Sequence, residues 1–417
     1  MRQDTPSQLV LGRLAATALS FVTGPLIARS IGAEGRGETA AVLALFYLVP
    51  ILVGLGVPLE VRRVAASTRT GAVIRGARIL SLFAVAPSLL FAFVLHGTLL
   101  EGLEPTTAFV AACGVASTPI TILWMCDISV LVALGKFRKV IVIQILQPLF
   151  YLCCIAIIAL ISELTAANVL VSYLVANSVV ATIGWFFTSR SDQGFSPPPS
   201  KLFKSSLKFS GSSIAEAASN RLDQAIMIPI IGSYQAGLYA VAVSITVLPT
   251  VFGQALGAAY FREVAVARQE RAKILQRAIG ETVAMSLVLV PISMLAVTVL
   301  VPLVFGSEFV GAILPGLVLA VASSGSVLLL VMSMLLGAQG KGWVMTSGQI
   351  GSLFMGIGAL LLFGPSGGAL AAAGASVLAA ATGVIVLAIL GRFPFRAFLL
   401  SADHLRGAII TLVKRKA

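Results

Sequence analysis

The sequence predicts an all-α integral membrane protein with about twelve transmembrane helices. Hydrophobic residues make up 58% of the 417-residue chain and charged residues only 11%, against roughly 25% charged residues in an average soluble protein. The apolar runs are continuous and about twenty residues long, the length a helix needs to cross the hydrocarbon core. They lack the alternation of β-barrel strands. Because a bilayer offers no partner to a backbone amide, we expect each run to be helical.

Twelve apolar segments can be placed along the chain. They lie near residues 7–29, 37–58, 77–97, 106–134, 139–161, 166–188, 205–230, 236–258, 279–305, 310–336, 342–363 and 369–391. If the N-terminus is cytoplasmic and the spans alternate, the inner segments hold 25 of the 29 basic residues. The outer loops hold Arg29 and Arg36, and the spans hold Arg13 and Arg221. This asymmetry follows the positive-inside rule and predicts that both termini are cytoplasmic.

The charge and motif content exclude several classes of function. A net charge of +13 would suggest nucleic-acid binding in a soluble protein, but here the cations lie in loops that face anionic lipid. We therefore expect membrane lipid, and not nucleic acid, as a partner. No phosphate-binding loop is found, and His96 and His404 both lie outside the spans. The four cysteines show no metal spacing. We predict no catalytic residue, metal site, cofactor or enzymatic activity.

The chain contains an internal repeat. Eight residues of the segment 31–66 recur in the segment 231–266 at a constant offset of 200, namely Ile31, Gly32, Gly37, Ala40, Leu48, Arg62, Val64 and Ala65. A second set of matches, Leu134, Gly135 and Lys139 with Leu336, Gly337 and Lys341, has an offset of 202. The near-equal offsets indicate that the chain is a duplication of one six-span half.

The repeat predicts the organisation into lobes. Six is an even number of spans, so both halves run in the same direction and are expected to be related by an axis along the membrane normal. We predict an N-terminal lobe at 1–195, a C-terminal lobe at 196–391 and a basic cytoplasmic tail at 392–417. The basic, proline-rich stretch 189–204 is expected to be a cytoplasmic linker. Transporters built from two such lobes bind substrate near the bilayer midplane, between the lobes.

The seventh span carries a polar stripe. Glu216, Ser219, Asn220 and Asp223 follow the spacing i, i+3, i+4 and i+7, which puts them on one helix face. A polar face at this depth is expensive in lipid. It forms either the wall of a hydrated cavity or a hydrogen-bonded seam between helices, and we take these four residues as candidates for substrate contact or cation coupling.

Other charged residues in or near the spans have two interpretations each. Arg221 lies roughly 160° from Asp223 around the helix, so it needs another partner or reaches the outer interface by its long side chain. Arg13 in the first span either faces the cavity or reaches the inner interface. Arg29 and Arg36 are either anion-attracting groups at the outer mouth or ordinary loop cations. Asp127 in the fourth span either takes part in transport or forms a structural hydrogen bond.

Several short motifs resemble those of bacterial polysaccharide flippases of the O-antigen type. They are ARSIG at 28–32 with GRG at 35–37, GKFR at 135–138, NRLD at 220–223, and a Gly-Leu-Tyr run at 237–239. These flippases belong to the multidrug/oligosaccharidyl-lipid/polysaccharide exporter superfamily. Each motif is short, but together they follow the family order over most of the chain.

The resemblance implies a function and a location. It implies two six-helix lobes that move an undecaprenyl-pyrophosphate-linked oligosaccharide across the bacterial cytoplasmic membrane by alternating access, for polysaccharide biosynthesis. The pyrophosphate needs cationic partners, for which arginine is well suited, and glycosyltransferases or polymerases are further expected partners. A coupling carboxylate would be Glu216 or Asp223.

Two alternative functions remain open at this point. One is a cation-coupled exporter of drugs or metabolites from the same superfamily. Such relatives often carry a carboxylate on the first helix, where this chain has Arg13. The other is a non-transporting membrane scaffold for glycan synthesis. The lipid II flippase branch typically has two more helices, so it is a weaker match.

Overall fold

The computed structural model describes residues 6–189, 194, 196–266, 270–394, 398 and 407, and this part of the chain contains helices and no strand. The chain forms two compact units, 1–229 and 230–417. The predicted lobe boundary at 195/196 rests on the duplication, not on packing, and it stays a prediction.

The described residues of the first unit form nine helices. They are α1 (Pro6–Gly54), α2 (Val57–Thr68), α3 (Ile74–Phe83), α4 (Val85–His96), α5 (Pro105–Ala116), α6 (Thr118–Ala133), α7 (Phe137–Ile161), α8 (Ala166–Ser189) and α9 (Pro199–Ala225). Helix α1 packs against α7, α8 and α9, and α6 packs against α2, α3 and α8. Helix α9 packs against α1, α2 and α3.

The second unit follows the short helix α10 (Met227–Ile231), which crosses the unit boundary. It contains α11 (Ser233–Thr246), α12 (Leu248–Val266), α13 (Arg271–Leu300), α14 (Ile313–Ala338) and α15 (Gly342–Gly391). A π-helical turn, Val301–Phe305, and a 3-10 helix, Ser307–Ala312, connect α13 to α14. Helix α14 lies at the centre of this unit and packs against α11, α12, α13 and α15.

The helices account for the twelve predicted spans. Among the described residues, six helices are long and apolar enough to cross a membrane, and the number rises to nine if each bent pair of helices is one span. Two of them, α1 with 49 residues and α15 with 50, would each be about 75 Å long if straight, more than twice the hydrocarbon thickness. They break instead at Gly32 and Gly368, so each supplies two spans. Helix α9 is the seventh predicted span.

Exposed apolar side chains confirm a multi-pass cell membrane protein. The side chains of Phe93 and Leu160, for example, are 80% and 87% exposed. In water such surfaces would be costly, and large contiguous apolar patches are rare on soluble monomers. The orientation of the termini stays a prediction.

One pair of residues from the first set of repeat matches, Gly32 and Gly232, also has the same backbone conformation. Gly32 has φ 69° and ψ −175°, and Gly232 has φ 79° and ψ 163°. This region of backbone space is accessible essentially to glycine alone. The same residue type therefore makes the same break between helices in both halves, 200 residues apart.

The second set of matches needs a correction. A glycine in the left-handed conformation follows each of the two matched helices. It is Gly135, with φ 69°, after α6, and Gly340, with φ 74°, after α14. In both turns the next lysine N–H donates to a carbonyl five residues earlier, Lys136 to Leu131 at 2.9 Å and Lys341 to Leu336 at 3.0 Å. The structural offset is thus 205, and the offset of 202 taken from residue identity alone was wrong.

Candidate functional site

Two arginines that the sequence places far apart belong to one cluster in the first unit. Arg36 follows the break in α1, and Arg221 lies near the end of α9. The two guanidinium groups lie within electrostatic range of each other, and the Tyr151 side chain of α7 lies near Arg36. The Tyr173 side chain of α8 lies near Arg221. The packing of α1 against α7, α8 and α9 is what brings the two cations together.

Aromatic rings surround this pair of arginines. The Arg221 Cζ lies 5.8 Å from the centroid of the Tyr47 ring, within the range of a cation–π interaction. The Tyr151 and Tyr173 rings meet edge to face at 5.7 Å. The Tyr173 ring also stacks on Phe46, with 5.9 Å between centroids. We call Arg36, Phe46, Tyr47, Tyr151, Tyr173 and Arg221 the Arg–Tyr cluster.

The cluster has unused hydrogen-bonding groups. The Arg36 Nε and the Tyr151 hydroxyl are buried, and neither has a hydrogen-bond partner in the part of the chain that the structure describes. The Arg221 Nη1 donates to Gln224 Oε1 at 3.2 Å. Neither Arg36 nor Arg221 forms an ion pair with any described residue. Buried polar groups are normally paired, so two uncompensated cations beside orphaned donors form an environment suited to an anion.

The polar stripe of the seventh span lies on α9, as the spacing predicts, but its four residues differ in exposure. Glu216 and Asn220 are exposed, whereas Ser219 and Asp223 are partly buried. The Asn220 side-chain amide donates to the backbone carbonyl oxygen of Glu216 at 2.8 Å, so its hydrogen bond lies within α9. The Glu216 carboxylate has no hydrogen bond or ion pair with a described residue. Glu216 is therefore available to an external ligand or cation.

The other two predicted arginines are not part of the cluster as described. Arg29 is exposed on α1, before the break at Gly32. Arg13 lies in α1, but its side chain falls outside the described residues. Arg221 is exposed, and its guanidinium contacts Tyr47 and Gln224. It therefore has partners within the first unit, and whether it also reaches the outer interface stays a prediction.

A second buried polar group lies near the other end of the first unit. Asp127 of α6 is 2% exposed, and its Oδ1 accepts a hydrogen bond of 2.6 Å from the Thr188 hydroxyl of α8. Thr188 Oγ1 in turn accepts one of 3.2 Å from Arg78 Nη2 of α3. The threonine thus bridges a buried carboxylate to an arginine. Of the two interpretations of Asp127, this arrangement supports the structural hydrogen bond.

Comparison with known proteins identifies the family. The family model described as "Polysaccharide biosynthesis protein" matches residues 7–261, which is more than half of the chain. The chain belongs to the polysaccharide biosynthesis protein family. No curated protein sequence matches it.

Solved structures show that this polysaccharide biosynthesis protein has a transporter fold. The lipid II flippase MurJ in its inward closed conformation matches with a TM-score of 0.74 at 15% identity, over 96% of this chain and 90% of that one. An inward-facing multidrug resistance MATE family transporter of the MOP superfamily matches with a TM-score of 0.65 at 15% identity, over 98% and 100%. An outward-facing MATE transporter gives 0.59 at 17% identity, over 92% and 93%. The predicted polysaccharide family is therefore confirmed by the family model, and the chain shares the fold of these flippase and transporter structures.

Part of the site in this polysaccharide biosynthesis protein was missed by sequence reasoning. Charge directed attention to Arg36 and Arg221, but the tyrosines were not considered. The chain has six tyrosines, and three of them, Tyr47, Tyr151 and Tyr173, lie in the Arg–Tyr cluster. A search for the few residues in the spans that combine a ring with a hydroxyl would have found them.

Proposed function

We propose that the protein flips a polyprenyl-pyrophosphate-linked oligosaccharide from the inner to the outer leaflet of the cytoplasmic membrane by alternating access. The observation that carries this proposal is the pair of uncompensated cations, Arg36 and Arg221, beside buried hydroxyl and guanidinium groups without partners. Membership of a polysaccharide biosynthesis family and a flippase fold support the same function.

The chemistry of such a substrate fits the Arg–Tyr cluster. A pyrophosphate carries several negative oxygens on two tetrahedral phosphorus atoms, and the planar guanidinium group binds two such oxygens at once through paired hydrogen bonds. Arg36 Nε and the Tyr151 hydroxyl are donors left open for it. The exposed polar residues of α9, Glu216 and Asn220, supply hydrogen-bonding groups for sugar hydroxyls. Sugar rings also stack on aromatic faces such as Tyr47, which is 46% exposed.

The test is a flipping assay with the purified full-length chain in proteoliposomes. The probe is a fluorescent polyprenyl-pyrophosphate disaccharide whose outer-leaflet fraction is quenched by a membrane-impermeant reductant. We expect flipping by the native chain and a loss of about tenfold or more in Arg36→Gln and Arg221→Gln, because each removes a charge-assisted contact worth about 1.5–3 kcal/mol. Arg36→Lys should recover only part of the rate, since lysine lacks the bidentate fork.

The matched control removes an exposed cation of the second unit. Lys273→Gln changes an exposed residue of α13 whose ammonium lies 3.8 Å from Glu270, and it should flip the probe at the native rate. Equal rates in Lys273→Gln, Arg36→Gln and Arg221→Gln would contradict the assignment of the cluster. No flipping by the native chain, with correct folding, would contradict the proposed function.

The alternative of a drug exporter rests on the MATE transporters that share the fold. The net positive charge of the Arg–Tyr cluster disfavours it, since many exported drugs are cations that two arginines would repel. Drug efflux by the native chain, in the absence of lipid-linked sugar transport, would establish this alternative. The scaffold alternative predicts neither activity. Association with glycosyltransferases or polymerases, which we propose as partners, can be tested by co-purification from native membranes.

A further inference from the structure

We propose that Lys136 and Lys139, together with the aromatic end of α8, bind the phosphate of an anionic phospholipid in the leaflet that they face. The two lysines flank the start of α7, and Trp185, Phe186 and Phe187 lie near the end of α8, which packs against α7. We call these five residues the Lys–Phe surface. The proposal goes beyond the proposed function, because it concerns a lipid of the surrounding membrane and not the transported molecule.

The two lysines lie close enough for their charges to repel. Lys136 is the residue before α7, in the turn outside the predicted spans, and Lys139 lies three residues further on. Burial, and then the charge of Lys139, lower the pKa of the Lys136 ammonium from its usual value. An anion bound by both side chains would offset this repulsion, since an opposite charge nearby favours the charged form of each.

The local charge around this turn is strongly positive. Lys136, Arg138 and Lys139 lie within four residues, whereas α6, α7 and α8 together contain one acidic residue, Asp127. Asp127 is buried and accepts its hydrogen bond from Thr188. Lys139 forms no ion pair with any residue that the structure describes. The turn therefore has a field that attracts an anion.

An aromatic ring holds the Lys139 ammonium in place. Its Nζ lies 5.0 Å from the centroid of the Phe187 ring, within the range of about 6 Å for a cation–π interaction. Phe187 is partly buried and packs in the hydrophobic cluster formed by α6, α7 and α8. An ammonium has three N–H donors, and the ring covers only one side of it. Lys139 is thus fixed in position and still able to donate to a phosphate.

The end of α8 offers an apolar surface beside these cations. Phe186 is 61% exposed and Trp185 is 45% exposed, and their rings meet edge to face at 5.2 Å. Because successive residues are 100° apart on a helix, Phe186 points between Trp185 and Phe187. Aromatic residues at the ends of spans lie at the level of the lipid headgroups. An acyl chain can therefore pack on Phe186 while its phosphate reaches the lysines.

Position and chemistry both favour a phospholipid over the transported molecule as the occupant. Tyr151 of the Arg–Tyr cluster lies about 22 Å further along α7 than Lys136, at 1.5 Å per residue. The Lys–Phe surface is therefore a separate site. A lysine ammonium is a compact point charge that suits a single phosphate group, whereas the arginine fork suits paired contacts. Anionic lipids are attracted to basic residues at this level of the membrane.

The internal repeat contains a matched turn that lacks the second lysine. Lys341 precedes α15 with φ −89° and ψ 51°, close to the −83° and 56° of Lys136 before α7. At the structural offset of 205, the counterpart of Lys139 is Val344, which is 1% exposed. The first half therefore has a pair of cations where the second half has one. Lys341 is the natural control for the contribution of the pair.

Lipid retention by the purified full-length chain tests the proposal. The chain is reconstituted in vesicles with equal amounts of phosphatidylglycerol and phosphatidylcholine and extracted in detergent, and its bound lipids are counted by native mass spectrometry. We expect phosphatidylglycerol to be retained in preference. Lys139→Gln should lower its retention about fivefold, the factor that corresponds to about 1 kcal/mol per basic residue near an anionic membrane. Equal retention of the two lipids by the native chain would overturn the proposal.

Three further variants make the result specific. Lys136→Gln should cause a loss similar to that of Lys139→Gln, so a folding defect in one chain does not decide the outcome. Lys139→Arg keeps the charge and the contact with the ring, and it should retain the lipid. Lys341→Gln should retain phosphatidylglycerol as the native chain does. Equal losses in Lys341→Gln and Lys139→Gln would show general attraction to basic loops and would overturn the proposal.

Competition separates the possible sources of the phosphate. Inorganic phosphate or a polyprenyl pyrophosphate is added in an amount equal to the phosphatidylglycerol, and we expect neither to displace the lipid. Displacement by inorganic phosphate would identify a simple anion site, and displacement by the polyprenyl pyrophosphate would identify the transported molecule as the occupant. Either result would overturn the assignment to a phospholipid. Flipping is not measured here, so failure of the proposed function would leave these outcomes unchanged.

Discussion

The Arg221 guanidinium of α9 lies over the Tyr47 ring of α1, with 5.8 Å between Cζ and the ring centroid. This contact connects the two helices that supply the cations of the Arg–Tyr cluster. It also leaves the donors of Arg221 largely free, because a cation–π interaction uses the face of the guanidinium and not its N–H groups. Tyr47 therefore holds the cation in place without neutralising it.

The ring and the hydroxyl of Tyr47 can be separated by substitution. Tyr47→Phe retains the ring face and should bind the pyrophosphate-linked probe with nearly native affinity. Tyr47→Ala loses an interaction of about 0.5–2 kcal/mol, so the dissociation constant should rise about three- to tenfold. Binding is measured by fluorescence polarisation in nanodiscs. A Phe variant as weak as the Ala variant would show that the hydroxyl, and not the cation–π contact, is what matters.

Gly114 of α5 is predicted to be essential for the aromatic part of the cluster. A Cβ on this residue would overlap the Phe46 ring, which stacks on Tyr173. We expect Gly114→Ala to lower the free energy of unfolding by about 1–3 kcal/mol, as overpacking of a core does. The control is Gly24→Ala in α1, where a Cβ meets nothing within 4 Å. Thermal unfolding in nanodiscs should separate the two, and an equal effect would mean that Phe46 moves aside freely.

Much of the fold was predictable because the bilayer imposes simple rules. Apolar runs of a set length must be helices, and the glycine at position 32 marked a break that recurs at Gly232. The offset of the second repeat match was wrong because it was taken from residue identity and not from backbone conformation. The backbone conformation that ends a helix depends on a left-handed glycine, and that residue is Gly340 and not Gly337.

The site was only partly predictable, for a different reason. The helical spacing of Glu216 and Asn220 follows from the sequence, since it depends on one helix alone. The proximity of Arg36 and Arg221 depends on how four helices pack, and no periodicity encodes that. The same is true of Asp127, whose partner Thr188 lies 61 residues away.

The hydrogen bond between Asp127 and Thr188 should contribute measurably to stability. Thr188→Val keeps the shape of the side chain but leaves a buried carboxylate without its donor, which costs about 2 kcal/mol. Thr188→Ser keeps the hydroxyl and should cost much less. Chemical unfolding in mixed micelles measures both. Equal stabilities of the Val and Ser variants would show that the carboxylate finds another partner.

Glu216 is the residue at which we predict coupling to an ion gradient. Its carboxylate is exposed on α9 and lacks a described partner, whereas a carboxylate in a span normally has a function or a counter-ion. In proteoliposomes with an imposed proton or sodium gradient, Glu216→Gln should flip the probe at the same rate with and without the gradient, while the native chain is faster with it.

Asp223 lies two helical turns further along α9, and its substitution is the comparison for Glu216→Gln. It is partly buried and has an interaction within the protein, so Asp223→Asn should lower stability as well as flipping. If Asp223→Asn abolishes the response to the gradient and Glu216→Gln keeps it, the coupling carboxylate is Asp223. If both variants respond like the native chain, the energy for transport does not enter through α9, and the substrate gradient itself would then have to drive flipping.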